Sequence, residues 1–399
     1  MRAHHLSIVV SLVVAATASA QVRPGIEVLV TDSARLIAGR RLGLLSNQTG
    51  VDRHGDRDVD VLRAHGFQVT ALFGPEHGFQ GKEDRPGLPD AVDSATGLPI
   101  YSLYGGSAEK TRAALTTIDV LLIDLQDIGA RYYTYPASAT SLLREATASG
   151  KPVVVLDRPD PIGGEVVQGN VRTRIGDPDS EFVGFLPVPM RHGMTLGELL
   201  RMTNDLLRIH ARLTVVPVAG WHRRMPYDST GLPWIKPSPN MPDLESAYHY
   251  PGLCLFEGTN LSVGRGTPFA FQVIGASWID AVKLREAVGR APGVAADTVT
   301  FIPLHPTDGK DDGVALHGLR LRVTNRRTYD PTRYAILLLA TLHRLYPAQF
   351  AFRPTQFDRL AGDGVRQGIE KGQSLSVLTR GWAGRLALFR KERAKYLLY

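Results

Sequence analysis

One cysteine, Cys254, stands in a chain of 399 residues. A lone thiol excludes an intramolecular disulfide and a paired C-x-x-C zinc site, so stability has to come from the apolar core. It lies in the apolar run 253–256 and reads as a small buried hydrophobe rather than a nucleophile. Nucleotide and metal signatures are missing as well. No G-x-G-x-x-G follows a strand, and G-x-x-x-x-G-K-[ST], H-E-x-x-H and G-x-S-x-G do not occur. These gaps count against dinucleotide enzymes, P-loop NTPases, zincins and elbow-type serine hydrolases, and no cofactor or metal is expected. Charge of one sign is never concentrated. The 46 basic and 39 acidic residues leave +7, scattered in small clusters at Arg223-Arg224, Arg326-Arg327 and 390–395. Without a base-reading motif, these clusters read as solvated faces, and nucleic acid is not an expected partner. A mildly basic surface does suit an anionic polymer.

The N-terminus carries what a targeting segment needs. Arg2, His4 and His5 give a positive start, residues 8–16 (IVVSLVVAA) are apolar except for Ser11, and Ala18-Ser19-Ala20 forms a small-residue cleavage signature. The run is too short to cross a bilayer comfortably. Residues 1–20 are therefore expected to be a signal peptide, with Gln21 opening an exported, periplasmic or secreted protein that keeps no membrane anchor.

Between about 40 and 160, short apolar runs alternate with helical stretches. Strands are expected around 42–45 and at 68–73, 120–123, 153–156 and 213–218, with helices at 56–65, 107–117 and 136–149. Thr195 and Glu198 spell a capping box that opens a further helix to about 209. Uninterrupted apolar strands separated by helices indicate a parallel sheet covered on both faces. The fold class is α/β, with a Rossmann-like, doubly wound parallel sheet over 21–220 and a smaller α+β domain over 221–399. In the latter, prolines at 233, 237, 239 and 242 stiffen an extended stretch, and helices at 281–290 and 332–345 flank a strand at 319–323. Residues 357–364 and the tail 393–399 read as surface or closing elements without chemistry.

The strand ends carry the polar side chains. The first ends in Asn47, Gln48 and Thr49, and the second in Gly74-Pro75-Glu76-His77. The third ends in Asp124, Gln126 and Asp127, and the fourth in Asp157, Arg158 and Asp160. In open α/β sheets such ends border the ligand crevice, so the four are expected to converge on one site. Glu76, on a Pro/Gly-bounded loop, is the leading catalytic carboxylate, with His77 either orienting it or satisfying a backbone carbonyl. The connector IGARYYTYP offers Arg131, Tyr132, Tyr133 and Tyr135, a set suited to sugars through ring stacking and hydroxyl hydrogen bonds. Further polar candidates are Arg191 and His192, which precede the capped helix, then Asn240, Glu257, Asn260 and Arg265.

Several unusually worded stretches resemble one family: GLLSNQTG (43–50), LFGPEHGFQG (72–81), DLQDIGARYYTY (124–135), LDRPDPIGG (156–164), PMRHGMTLGEL (189–199), PSPNMPDLESAYHYPG (237–252) and FEGTNLSVGRGTPFAFQVIGA (256–276). The chain is similar to the exo-β-N-acetylmuramidases of the NamZ/YbbC type over essentially all of its mature length. The resemblance implies a Rossmann-like N-terminal domain, a smaller C-terminal domain and an active site in the cleft between them. It further implies release of N-acetylmuramic acid from the non-reducing end of peptidoglycan fragments in wall turnover, with Glu76 in the position of the family's proposed catalytic carboxylate. The residues fit: glycoside hydrolysis needs a carboxylic acid to protonate the leaving oxygen, and Glu76, flanked by Phe73 and Phe79, has the apolar setting for that role. The substrate's lactyl carboxylate calls for a cation, from among Arg131, Arg191 and Arg265. The second catalytic group stays open among Asp124, Asp127, Glu257 and the substrate's own acetamido group. The competing readings are a non-catalytic wall-binding protein and an esterase or amidase acting on wall material.

Overall fold

The computed structural model describes residues 21–85 and 87–399, so the expected signal segment, 1–20, lies outside the described residues. Helix α1 (Gly25–Asp32) precedes strands β1 (Arg41–Ser46), β2 (Gln68–Gly74), β3 (Ala91–Val92), β4 (Pro99–Ser102), β5 (Val120–Asp124) and β6 (Val153–Leu156). A two-stranded ribbon, β7 (Gln168–Val171) and β8 (Pro189–Arg191), comes before β9 (Leu213–Val216). Between the strands run α2 (Asp58–Ala64), α3 (Ala108–Thr117), α4 (Tyr135–Ala148) and α5 (Leu196–Leu206).

Seven strands form one sheet in the order β3-β4-β2-β1-β5-β6-β9. All neighbours are parallel except the antiparallel edge pair β3–β4. Without β3, the strands in chain order read 3-2-1-4-5-6, the Rossmann order, with its switch point between β1 and β5. Burial explains why these strands read as continuous apolar runs. Leu42, Leu44, Leu72 and Leu122 face a layer with Ile26, Leu29 and Leu62, contributed by α1 and α2. Leu45, Phe73, Ile123 and Val155 face the other way, into a core that continues without a break into the second half of the chain.

That half comprises α6 (Leu244–Leu253), β10 (Val273–Ala276), α7 (Ala281–Val288), β11 (Val294–Phe301), β12 (Leu316–Val323), α8 (Pro331–Leu345), α9 (Pro354–Ala361), α10 (Val365–Glu370), α11 (Leu375–Leu378) and α12 (Trp382–Arg393). Its sheet is antiparallel, in the order β10-β12-β11.

Helix starts follow their caps. Thr195 and Glu198 form the full capping box, and Ser107, Asp243 and Asp330 each accept a backbone N–H in the first turn. α5 stops at Leu206, short of the expected 209. Asn204 binds Ala211 through both its amide groups, and Arg208 and His210 take positive φ of 52° and 59° to make that reversal. α6 escaped the sequence reading because it contains Pro251, a residue that ordinarily breaks a helix interior. The stretch 357–364 is more than a surface element: Phe357 is fully buried and Leu360 nearly so, on a helix, 354–361, whose other face carries the exposed Arg359.

Candidate active site

β2 runs into Gly74-Pro75-Glu76-His77-Gly78, where His77 and Gly78 take φ of 70° and 75°. Two successive left-handed residues reverse the chain at once. Histidine tolerates that region better than most side chains, at a cost of roughly 1 kcal/mol. The backbone is pinned by Gly78 N–H to the Pro75 carbonyl (3.0 Å) and by Glu83 N–H to the His77 carbonyl (3.2 Å). The His77 ring closes the loop by donating from Nδ1 to the Glu83 carbonyl at 2.7 Å, with Asp84 3.5 Å away. His77 thus clips the loop that presents Glu76 and Asp84.

Both acids line a cavity of about 150 Å³ between the two halves of the chain. Beyond Glu76 it adjoins a wider groove of about 820 Å³; Glu76, Val183 and Arg359 line both. Thr134 donates its hydroxyl to Glu76 Oε2 at 2.5 Å. It is the residue preceding α4, yet its side chain makes no capping bond to that helix, so the hydroxyl is free to serve Glu76. On the groove side, the Tyr104 hydroxyl is pushed up to about 12 by burial and by the neighbouring Glu76 carboxylate, so it stays protonated.

The opposite wall is a charged network. Arg265 binds Glu257 through Nε (2.7 Å) and a terminal nitrogen (2.6 Å), and reaches Asp84 at 3.3 Å. Asn240 donates to the same Asp84 oxygen at 2.7 Å. Although burial works against it, the two carboxylates hold the Arg265 guanidinium firmly protonated. Tyr132, Tyr133, Tyr250 and Phe271 supply the apolar side. Tyr133 meets Tyr250 edge-on with centroids 6.1 Å apart, and Tyr250 meets Phe271 at 4.7 Å. Burial keeps the Tyr133 and Tyr250 hydroxyls well above the usual phenol range, so both stay protonated. An aromatic floor edged by phenol hydroxyls suits a pyranose ring.

Of the residues singled out from sequence, Glu76, His77, Tyr132, Tyr133, Asn240, Glu257 and Arg265 line this cavity. The structure does not bring the others there. Asp124 is fully buried and gripped by Arg158, beside Asp58, whose carboxyl burial and the Asp124 charge push well up. Gly50 permits this packing, since a Cβ there would lie 1.8 Å from Ser46 Oγ and 2.4 Å from Asp58 Oδ2. Asp127 accepts the Gly129 N–H and lies 3.4 Å from His192, whose Nδ1 faces the Met194 N–H. Asn47 accepts from Thr49, and Gln126 donates to the Asp127 and Pro159 carbonyls. Tyr135 donates to the Pro237 carbonyl, and Asn260 is tied to Gln349 and Ala351. Arg131 spends its guanidinium on the Asn170, Val188 and Leu360 carbonyls and the Asn170 amide, Arg191 on Ile162 and Gln168.

The four strand ends therefore do not share one crevice. Segment 227–235 lies over the ends of β1 and β5, leaving about 10 Å³ between Thr49, Gln126, Arg158 and Tyr227. Of the four, the loop after β2 and the far end of the loop after β5, Tyr132 to Thr134, reach the cavity. Sequence reading missed Asp84, Thr134, Arg359 and Gln356. Asp84 sits in an unpatterned loop, Thr134 among more conspicuous tyrosines, and the last two on a helix taken for surface.

The family description exo-β-N-acetylmuramidase NamZ matches as an N-terminal model over residues 42–245 and a C-terminal model over 248–399. The chain is 40% identical over 386 residues to the peptidoglycan β-N-acetylmuramidase NamZ of Bacillus subtilis, covering 95% of this chain and 92% of that protein. Two crystal structures of DUF1343 family proteins from Bacteroides fragilis share the fold. One superposes with a TM-score of 0.84 at 33% identity, the other with 0.73 at 31%. Each alignment covers 95% of this chain and 99% of the other. With both halves matched and the chain aligned nearly end to end, this protein belongs to the NamZ exo-β-N-acetylmuramidase family.

Proposed function

We propose that the protein is an exo-acting β-N-acetylmuramidase, releasing N-acetylmuramic acid from the non-reducing end of peptidoglycan-derived glycans, with Glu76 as the principal catalytic carboxylate. The observation that carries this reading is Glu76's place at the junction of a small, more enclosed cavity and a larger open groove. A terminal sugar seated in the first leaves the rest of the glycan in the second, so the scissile bond passes Glu76. A small terminal subsite favours chain ends over chain interiors.

Glycoside hydrolysis needs a proton delivered to the glycosidic oxygen as the C1–O bond breaks, while water or a carboxylate engages C1 from the other face. Glu76 donates that proton, and the Thr134 hydroxyl at 2.5 Å stabilises the carboxylate left behind. Asp84 and Glu257 are the further carboxylates on the cavity wall, both oriented by Arg265, and one of them serves C1 directly or through water. Asp124 and Asp127 take structural roles in this scheme. An exported protein acting in wall turnover is consistent with residues 1–20 serving as a signal peptide.

The test is release of N-acetylmuramic acid from a chromogenic β-muramide. Glu76→Gln, which keeps shape and removes the proton, is expected to lose at least about a hundredfold in kcat, the usual range for general acid catalysis. Full activity in that variant refutes the assignment of Glu76. Muropeptide binding without turnover by the unaltered protein refutes the enzymatic reading and leaves a wall-binding cleft.

A further inference from the structure

The cavity wall carries three carboxylates, Glu76, Asp84 and Glu257, against two guanidinium groups, Arg265 and Arg359. Arg265 is already committed to two of those carboxylates. Arg144, in the neighbouring groove, lies 3.4 Å from both Asp177 and Asp179. Arg359 has no hydrogen-bond or ion-pair partner among the described residues.

Its side chain is exposed, but the backbone that carries it is fixed. α9 is anchored by Phe357 and Leu360 in the core, and the Leu360 carbonyl accepts from Arg131 at 2.8 Å. Gln356, one turn earlier, lines the cavity beside it. Asp358, the adjacent acid, is engaged by Arg366 and does not compete. A rigid helix therefore holds an unspent, planar, permanently charged fork at the mouth of the sugar cavity, next to Glu76.

Resting on the muramidase reading, we infer that Arg359 is the specificity-determining residue that binds the lactyl carboxylate of the terminal sugar. It thereby selects N-acetylmuramic acid over N-acetylglucosamine, which differs only in lacking the lactyl ether. A carboxylate placed at Arg265 instead would join a cluster that already holds two negative charges for one positive. At Arg359 it meets a guanidinium with all its donors available, and bidentate pairing matches carboxylate geometry.

The experiment compares 4-nitrophenyl β-N-acetylmuramide with 4-nitrophenyl β-N-acetylglucosaminide in the wild type, Arg359→Met and Arg359→Lys. Met preserves the packing stem without the charge. The ratio of kcat/KM for the two substrates is expected to fall about tenfold or more in Arg359→Met, as loss of a charge-assisted hydrogen bond implies. The loss should fall on KM for the muramide rather than on kcat, and Arg359→Lys should recover part of it. Calorimetric affinity for free N-acetylmuramic acid should weaken by the same factor. Unchanged selectivity in Arg359→Met, or a kcat loss at constant KM, overturns the assignment of Arg359 while the muramidase reading stands. Failure of the wild type to cleave the muramide overturns that reading instead.

Discussion

Thr134→Val isolates one hydrogen bond at Glu76, the proposed catalytic carboxylate. Valine reproduces the shape of threonine and removes only the hydroxyl that donates to Glu76 Oε2 at 2.5 Å. Because that hydroxyl makes no capping bond to α4, the usual penalty of about 1 kcal/mol for a lost N-cap does not apply. The melting temperature should therefore stay within about 1 °C of wild type, the equivalent of under about 1 kcal/mol. Catalysis should not escape. A hydrogen bond to a charged group contributes about 1.5–3 kcal/mol, and Thr134 is only part-buried, which places it at the lower end. At about 1.4 kcal/mol per factor of ten, kcat should fall roughly tenfold. The assay is steady-state hydrolysis of a series of aryl β-muramides. If Glu76 is the general acid, the defect grows with the basicity of the leaving phenol and nearly vanishes for a dinitrophenol that needs no proton. A defect of the same size across the whole series would falsify that role for the Thr134–Glu76 pair.

Arg131→Met should destabilise the protein by about 3 kcal/mol and lower its melting temperature by roughly 4 °C, because several buried or part-buried oxygens on three segments lose their donor at once. A rise in KM without loss of stability would instead return Arg131 to the substrate side. Burial pushes the carboxyls of Asp160 and Asp157 up to about 7, from an ordinary 3.8. The folded state then holds these protons more tightly than the unfolded chain, so stability falls as pH rises from about 4 to about 7 and levels off above. Thermal unfolding followed at pH 5.5 and 7.5 should show a lower midpoint at the higher pH, with a smaller difference in Asp160→Asn; a wild-type midpoint that rises over this interval contradicts the argument.

The parallel sheet was legible because its strands are buried on both faces and announce themselves as apolar runs, and the start of α5 because a capping box is a local chemical pattern. The site was legible where its residues cluster in sequence around a turn, as at Glu76 and His77. What escaped is contributed over long range. Nothing in the sequence near Asp124 says that Tyr227 and its neighbours will close over the strand end, turning a plausible catalytic acid into a buried partner of Arg158. Nothing near Arg359 says that Phe357 is core, the fact that turns α9 so that Gln356 and Arg359 line the cavity edge, Arg359 while still exposed to solvent. Polar residue type marks where chemistry is available; burial decides which groups are spent on the fold.

The aromatic floor of the cavity has a consequence for how this molecule responds to its ligand. Tyr132, Tyr133, Tyr250 and Phe271 belong to the same continuous apolar cluster as Leu45 of the parallel sheet and Trp382 of the last helix. A sugar resting on them seals the top layer of the main core rather than a detachable surface patch. Occupancy should therefore stiffen both halves of the chain together and raise the global unfolding temperature as ligand concentration exceeds Kd. Conversely, altering a residue beneath the floor, such as Leu253 or Phe256, changes the shape of the binding surface from below. Under the proposed function, sugar stacking and thermal tolerance draw on one set of side chains, whereas the selectivity assigned to Arg359 lies outside that set.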